Sequence, residues 1–125
     1  MTLIAPAPRI GNSRYRLRGI GAFEAVFRTG ARHDARYLQL IAAPAAQPPG
    51  RVGYVIGRKM MPRAVDRNRL RRRLREMLRA ARPALEAFDV ILRVKRSVAR
   101  TEIDMVLGEA QRLLARLPGS ADSSR

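Results

Sequence analysis

The sequence predicts an α+β two-layer sandwich in the order helix, two or three strands, helix, strand, helix, with the helices covering one sheet. Three observations predict it. Residues 63–79 contain no Gly or Pro, and Leu70, Leu74, Met77, Leu78 and, just beyond, Ala81 fall on one helical stripe of roughly 100°. Residues 51–57 and 88–95 alternate with period two, aligning Val52, Tyr54 and Ile56, then Val90, Leu92 and Val94. Ile103, Val106, Leu107, Ala110, Leu113, Leu114 and Leu117 repeat at helical spacing.

In chain order, residues 1–13 hold Pro6, Pro8 and Gly11 without a helical period and read as a flexible arm. The arm lacks acids, as transit peptides do, but has no Arg-rich amphipathic pattern, so it is read as part of the mature chain. Arg14, Arg16 and Arg18 form a basic lead-in. Residues 21–30 read as a short helix with Gly30 as its C-cap, carrying Phe23 and Phe27 on one face. Residues 32–43 give one bent strand or two short ones, and residues 45–50 a turn or hairpin loop. Pro62 precedes the Arg-rich helix and Pro83 stops it. Thr101 reads as the N-cap of the last helix, with Asp104 three residues on. Pro118-Gly119 ends that helix, leaving residues 14–118 as one domain and 119–125 as a disordered tail.

The 125 residues carry a net charge of +16, and it is unevenly placed. Residues 1–82 hold 19 Lys and Arg against 4 Asp and Glu, while residues 83–125 hold 7 against 6. The Arg-rich helix concentrates this excess: Arg71, Arg75, Asn68, Arg79 and Arg72 fill the sector beside its apolar stripe, with Arg69 and Arg73 on the other flank. A solvated face would mix signs, whereas Arg67, Arg71 and Arg75 stack one turn apart, which costs stability without a counter-anion. The pattern points to a polyanion, and the planar guanidinium suits phosphate. Phe23 and Phe27 fit either the core or a stacking platform for unpaired bases.

Several classes are excluded. No apolar run is long enough for a membrane span. Cysteine is absent, which removes disulfides and thiolate metal sites and fits a reducing cytoplasm. His33 is the only histidine, Glu76 is embedded among arginines, and no carboxylates are spaced for metal or acid–base work. No GxxxxGK[ST] phosphate loop occurs. No catalytic residue is therefore expected on the protein, which would contribute binding and position.

Residues 67–76, Arg-Asn-Arg-Leu-Arg-Arg-Arg-Leu-Arg-Glu, resemble the RNR signature of the bacterial ribonuclease P protein subunit. The resemblance extends from about Arg14 to Leu117. It includes Phe23-x-x-x-Phe27-x-x-Gly30, Arg51-Val-Gly53, Arg58-Lys59 where a Lys pair is usual, Ala64-Val65-x-Arg67-Asn68, and Asp89-Val-Ile. It implies an αβββαβα fold like domain 2 of ribosomal protein S5, with the RNR helix as a left-handed βαβ crossover. It also implies a subunit that binds a catalytic RNA and helps remove the 5′ leader of precursor tRNA, with no other protein partner required. By resemblance Arg67, Asn68, Arg69, Arg71, Arg72 and Arg75 contact the catalytic RNA, and Phe23, Phe27, Arg58 and Lys59 the leader. No cofactor is expected on protein residues; magnesium and the hydrolysis would belong to the RNA. Two positions depart from the pattern: Ile41 stands where relatives can carry an aromatic cleft residue, and Gly57 where Ser is common.

Three other readings share the composition. A ribosomal or assembly protein would bind structured RNA without a part in cleavage. A DNA regulator would read the major groove with the basic helix, but strands flank that helix on both sides. The third is an interaction protein for acidic partners.

Overall fold

The computed structural model describes residues 15–47, 49–81 and 85–117. The expected arm and tail, and the helix stops at Pro83 and Pro118-Gly119, lie outside these residues. Within them the chain forms helix α1 (Ile20–Thr29), strands β1 (Ala31–Asp34), β2 (Leu38–Pro44) and β3 (Val52–Val55), helix α2 (Ala64–Ala80) and strand β4 (Phe88–Val94). A 3-10 turn (Arg100–Glu102) then leads into helix α3 (Ile103–Leu114). The order αβββαβα is the one the resemblance implies.

The four strands form one sheet in the order β1-β2-β4-β3. Residues 32–43 resolve into two strands, with β1 and β2 antiparallel and Arg32 opposite Ile41. Strand β4 then enters between β2 and β3, antiparallel to the first and parallel to the second. Residues 45–50 are therefore a connection across β4 and not a hairpin; the Ala45 and Gly50 amides donate to Ala87 and Glu86 carbonyls at 2.9 Å each. Because β3 and β4 are parallel neighbours, α2 is the crossover that joins them.

Strand alternation divides the core in two. Leu38, Leu40, Ala42, Val52, Val90, Leu92 and Val94 face α2 and α3. Ile41, Ala43 and Ile91 face the other way and pack with Leu17 and Val26 under α1. The sheet is thus covered on both faces, α1 adding a layer to the two expected because Ile41, Ala43 and Ile91 make its second face apolar, with the larger core on the α2–α3 side. Helix α2 buries Leu70, Leu74 and Leu78, and Met77 and Ala81 pack at the margin, as the stripe requires. Helix α3 buries Ile103, Val106, Ala110, Leu113 and Leu114.

One local expectation holds, one changes, and one feature is new. Gly30 is the C-cap of α1, its N–H donating to the Val26 carbonyl at 2.8 Å, with φ −79° and ψ 152°, which any residue adopts. Space also demands the glycine: a Cβ there would lie 2.6 Å from an Ile41 methyl and from the Val26 carbonyl oxygen. Thr101 does not cap α3, because the 3-10 turn takes in that residue; the Glu102 carboxylate accepts from the Ala99 N–H at 2.8 Å. Asp104 is turned outward to Arg73. Finally, Glu109 sits inside the apolar run of α3 yet is buried, and its Oε1 accepts from the Tyr37 and Leu38 amides at 2.8 and 3.2 Å. It fastens α3 to the start of β2, and its own polar demand is met by two backbone donors. Among the described residues no helix is long and apolar enough to cross a membrane.

Candidate functional site

Two surfaces carry the residues singled out in the sequence, and they lie on opposite faces of the sheet. On the first, α2 presents arginines on two flanks. The α3-side flank is ion-paired: Arg73 meets Asp104 at 3.2 Å, and Asp66 meets Arg100, from the 3-10 turn, at 3.5 Å. The loops that bring Arg100 there are tied together by the Val98 N–H, which donates to the Met60 carbonyl at 3.1 Å. Val65, Asp66, Asn68, Arg69, Arg72 and Arg100 line a shallow cleft of about 410 Å³.

The β3-side flank carries Arg67, Arg71 and Arg75, and among the described residues none of the three has a carboxylate in an ion pair. Arg67 donates through Nη1 to the Met61 and Pro62 carbonyls at 2.8 and 2.9 Å, which fixes the chain as it enters the helix. Asn68 Oδ1 accepts from Arg71 Nη1 at 3.0 Å and aims that guanidinium. Arg71 is half-buried while Arg75 is exposed. Burial holds the Arg71 guanidinium below the usual arginine range; repulsion from Arg75, Arg67 and Arg16 adds to it, and the Tyr54 phenol acts the other way. Arg16 was only part of a basic lead-in by sequence. Its signal was there: in Tyr15-Arg-Leu-Arg18 a buried Leu17 between two arginines is a strand alternation.

The second surface lies under α1. Phe23 and Phe27 are both half-buried and pack at the margin of the smaller core, beside Val55. The Phe23 ring rests on Gly53 of β3, where a Cβ would stand 2.5 Å from its Cζ. The Arg32 guanidinium lies 5.8 Å from the Phe27 ring centroid, and its Nη2 donates to the Phe27 carbonyl at 2.8 Å. Ile41 is fully buried here, so it serves as floor. Beyond the rings this face turns polar: Arg93 donates to Gln39 at 3.2 Å, and Gln39 and Lys95 both donate to Asp34 Oδ1 at 3.0 and 3.1 Å. Arg58 and Lys59 are exposed on the turn between β3 and α2, where the Gly57 carbonyl accepts from the Met60 and Met61 amides at 3.1 Å.

The chemistry this permits is binding. Among the described residues no three His, Cys, Asp or Glu side chains gather closely enough to hold a metal ion. Buried Asp89 is committed to Arg51, accepting from its N–H at 3.0 Å and facing its guanidinium at 3.6 Å.

Comparison with known proteins identifies the family and the fold. The family model described as Ribonuclease P matches residues 12–118. The ribonuclease P protein component of Acidothermus cellulolyticus is 36% identical over 114 residues, covering 89% of this chain and 94% of that protein. That of a Synechococcus strain is 44% identical over 85 residues, covering 65% of this chain and 59% of the relative. Among solved structures, the RNase P protein from Thermotoga maritima superposes with a TM-score of 0.69 at 25% identity, covering 83% of this chain and 98% of the other. The match along nearly the whole described chain, RNR helix and phenylalanine pair included, shows that the chain belongs to the ribonuclease P protein family, the protein subunit of the ribonucleoprotein endonuclease that matures tRNA 5′ ends.

Proposed function

We propose that the β3-side flank of α2 binds the catalytic RNA, and that the α1 face takes the 5′ leader of precursor tRNA. The observation that carries the first half is the row Arg67, Arg71, Arg75, which among the described residues has no carboxylate in an ion pair. A row of like charges costs stability in the free protein and is relieved when phosphates settle on it. Arg69 and Arg72 border the cleft on the crown of the helix and extend the footprint. Arg67 and Asn68 act partly by position, one fixing the helix entry and the other aiming Arg71.

The second half rests on the half-buried rings of Phe23 and Phe27. Each keeps part of its surface open for stacking, and the cation beside Phe27 suits a phosphate backbone. Arg58 and Lys59 would meet the same strand by charge alone. Hydrolysis and its magnesium are assigned to the RNA, in keeping with a family whose chemistry the RNA carries; among the described residues no three His, Cys, Asp or Glu gather to hold a metal ion. We place the protein in the cytoplasm, working with the catalytic RNA and no further protein partner.

Reconstitution with the cognate catalytic RNA tests this. The protein should raise cleavage of precursor tRNA by that RNA, and alone should cleave nothing, with or without magnesium. Metal-dependent cleavage that survives removal of the RNA would contradict it.

A further inference from the structure

Arg16 lies on the segment that leads into α1, against the outer edge of β3. It bridges Val52 in parallel; the Leu17 N–H donates to the Val52 carbonyl at 2.9 Å, and the Val52 N–H to the Tyr15 carbonyl at 2.8 Å. This adds a short piece of strand to the sheet. Alternation decides where its side chains go. Leu17 is buried with Val26 and Ile91 under α1, so Arg16 points to the opposite face, the one α2 covers. There it is exposed, and its charge acts on Arg71.

A charge on an edge strand is often no more than a guard against pairing with another chain. Guarding needs only that the charge reach solvent. It does not account for a guanidinium brought from a separate element toward a helix already crowded with arginines.

We propose that Arg16 and Arg71 close together on one backbone phosphate of the catalytic RNA, so that RNA binding fastens the lead-in segment to the edge of β3. This rests on the reading of α2 given above and extends it to a second element. A phosphate between the two guanidinium groups replaces repulsion with a charge-assisted fork from each side. Its consequence reaches the other face. The lead-in is held to β3 by two backbone hydrogen bonds, and Leu17 anchors it under α1, in the cluster that Phe23 and Phe27 border. RNA seated on α2 thereby steadies the base of the helix that carries the two rings.

The test uses the full chain and the cognate catalytic RNA at low salt, with Arg16→Gln, Arg71→Gln and the double variant. Each single change should weaken binding by about fivefold to tenfold, within what one charged hydrogen-bond pair supplies. The double variant should bind within about twofold of the weaker single, because a phosphate released by one guanidinium is lost to both. Multiplicative losses would mean separate phosphates and overturn the shared clamp. Loss with Arg71→Gln and none with Arg16→Gln would overturn it while leaving the α2 reading intact; no loss with either would overturn that reading itself. Arg28→Gln, on the exposed side of α1, removes equal charge and should leave affinity unchanged; a loss matching that of Arg16→Gln would reduce the effect to net charge. Amide exchange gives an independent readout. RNA should slow exchange at Leu17 and Val52 in the parent chain and much less with Arg16→Gln, whereas equal slowing would overturn the fastening. Should Arg16→Gln unfold, Arg16→Lys keeps the charge without the fork and should still weaken binding at least threefold.

Discussion

The two flanks of α2 are built from the same residue type and yet differ in kind. On the α3 side, Arg73 is matched by Asp104 and Asp66 by Arg100. On the β3 side, Arg67, Arg71 and Arg75 stand a turn apart with repulsion among them. Exposed ion pairs like Arg73–Asp104 contribute roughly 0–1 kcal/mol, so the paired flank does little more than fix α2 beside α3. Like-charge neighbours at this spacing cost a few tenths of a kcal/mol each, roughly 0.2–0.5. A helix that pairs Arg73 and Asp66 on one flank and leaves Arg67, Arg71 and Arg75 without carboxylates among the described residues suits the proposed RNA contact on the second flank. On the proposed reading, the placement of the acids, and not the number of arginines, separates the binding face from the structural one.

The largest effect should come from breaking the unpaired flank. Arg71→Ala with Arg75→Ala should weaken catalytic-RNA binding by about 30-fold to 100-fold at low salt and leave thermal stability unchanged or slightly raised. The loss should shrink as salt rises. Next is the α1 face. Phe23→Ala should lower the preference for precursor over mature tRNA by about fivefold or more, since stacking is worth roughly 1–3 kcal/mol per base. Its stability cost should fall below the roughly 3–5 kcal/mol of a fully buried ring, and catalytic-RNA affinity should hold. Gly53→Ala should lower the same preference by displacing the Phe23 ring without touching α2. Smaller still, the net-neutral pair Arg73→Gln with Asp104→Asn should change RNA affinity by less than about twofold, the outcome for exposed paired charges.

The smallest effect concerns pH. The Ala99 N–H, and after it the Tyr37 hydroxyl, hold the Glu102 carboxyl below the usual carboxylate range. The folded chain takes up that proton less readily than the unfolded one. The stability it contributes is therefore complete above the unfolded carboxylate's range and lost as pH falls through the folded value. Melting temperature followed on acidification should fall less steeply for Glu102→Gln than for the parent chain.

Much of this was legible in the sequence because hydrophobic period reports directly on which side is buried. The stripes of α2 and α3, the two clear strands and the facing of Val52, Tyr54 and Ile56 all follow from it. Pairing partners do not. Nothing in residues 45–50 says that β4 will pass between β2 and β3, since strand order is set by packing between distant segments. Glu109 was invisible for the same reason: a carboxylate in an apolar run declares its purpose only when two backbone amides from β2 and the turn before it are seen to meet it. At the site, the RNR row was plain, but its division into paired and unpaired flanks depends on Asp104 and Arg100, more than thirty residues away from Arg73 and Asp66. The C-cap reading of Gly30 holds, and the crowding by the Ile41 methyl of β2 that also demands a glycine there could not be read from the sequence.

The most direct measurement compares Arg71→Gln with Arg73→Gln, two variants of one helix with the same net charge. Affinity for the catalytic RNA is followed over a series of salt concentrations. With Arg71→Gln the slope of log affinity against log salt should flatten by about one counterion, and with Arg73→Gln it should stay that of the parent chain. Equal slopes for the two variants, or flattening only with Arg73→Gln, would contradict the assignment of the unpaired flank to RNA.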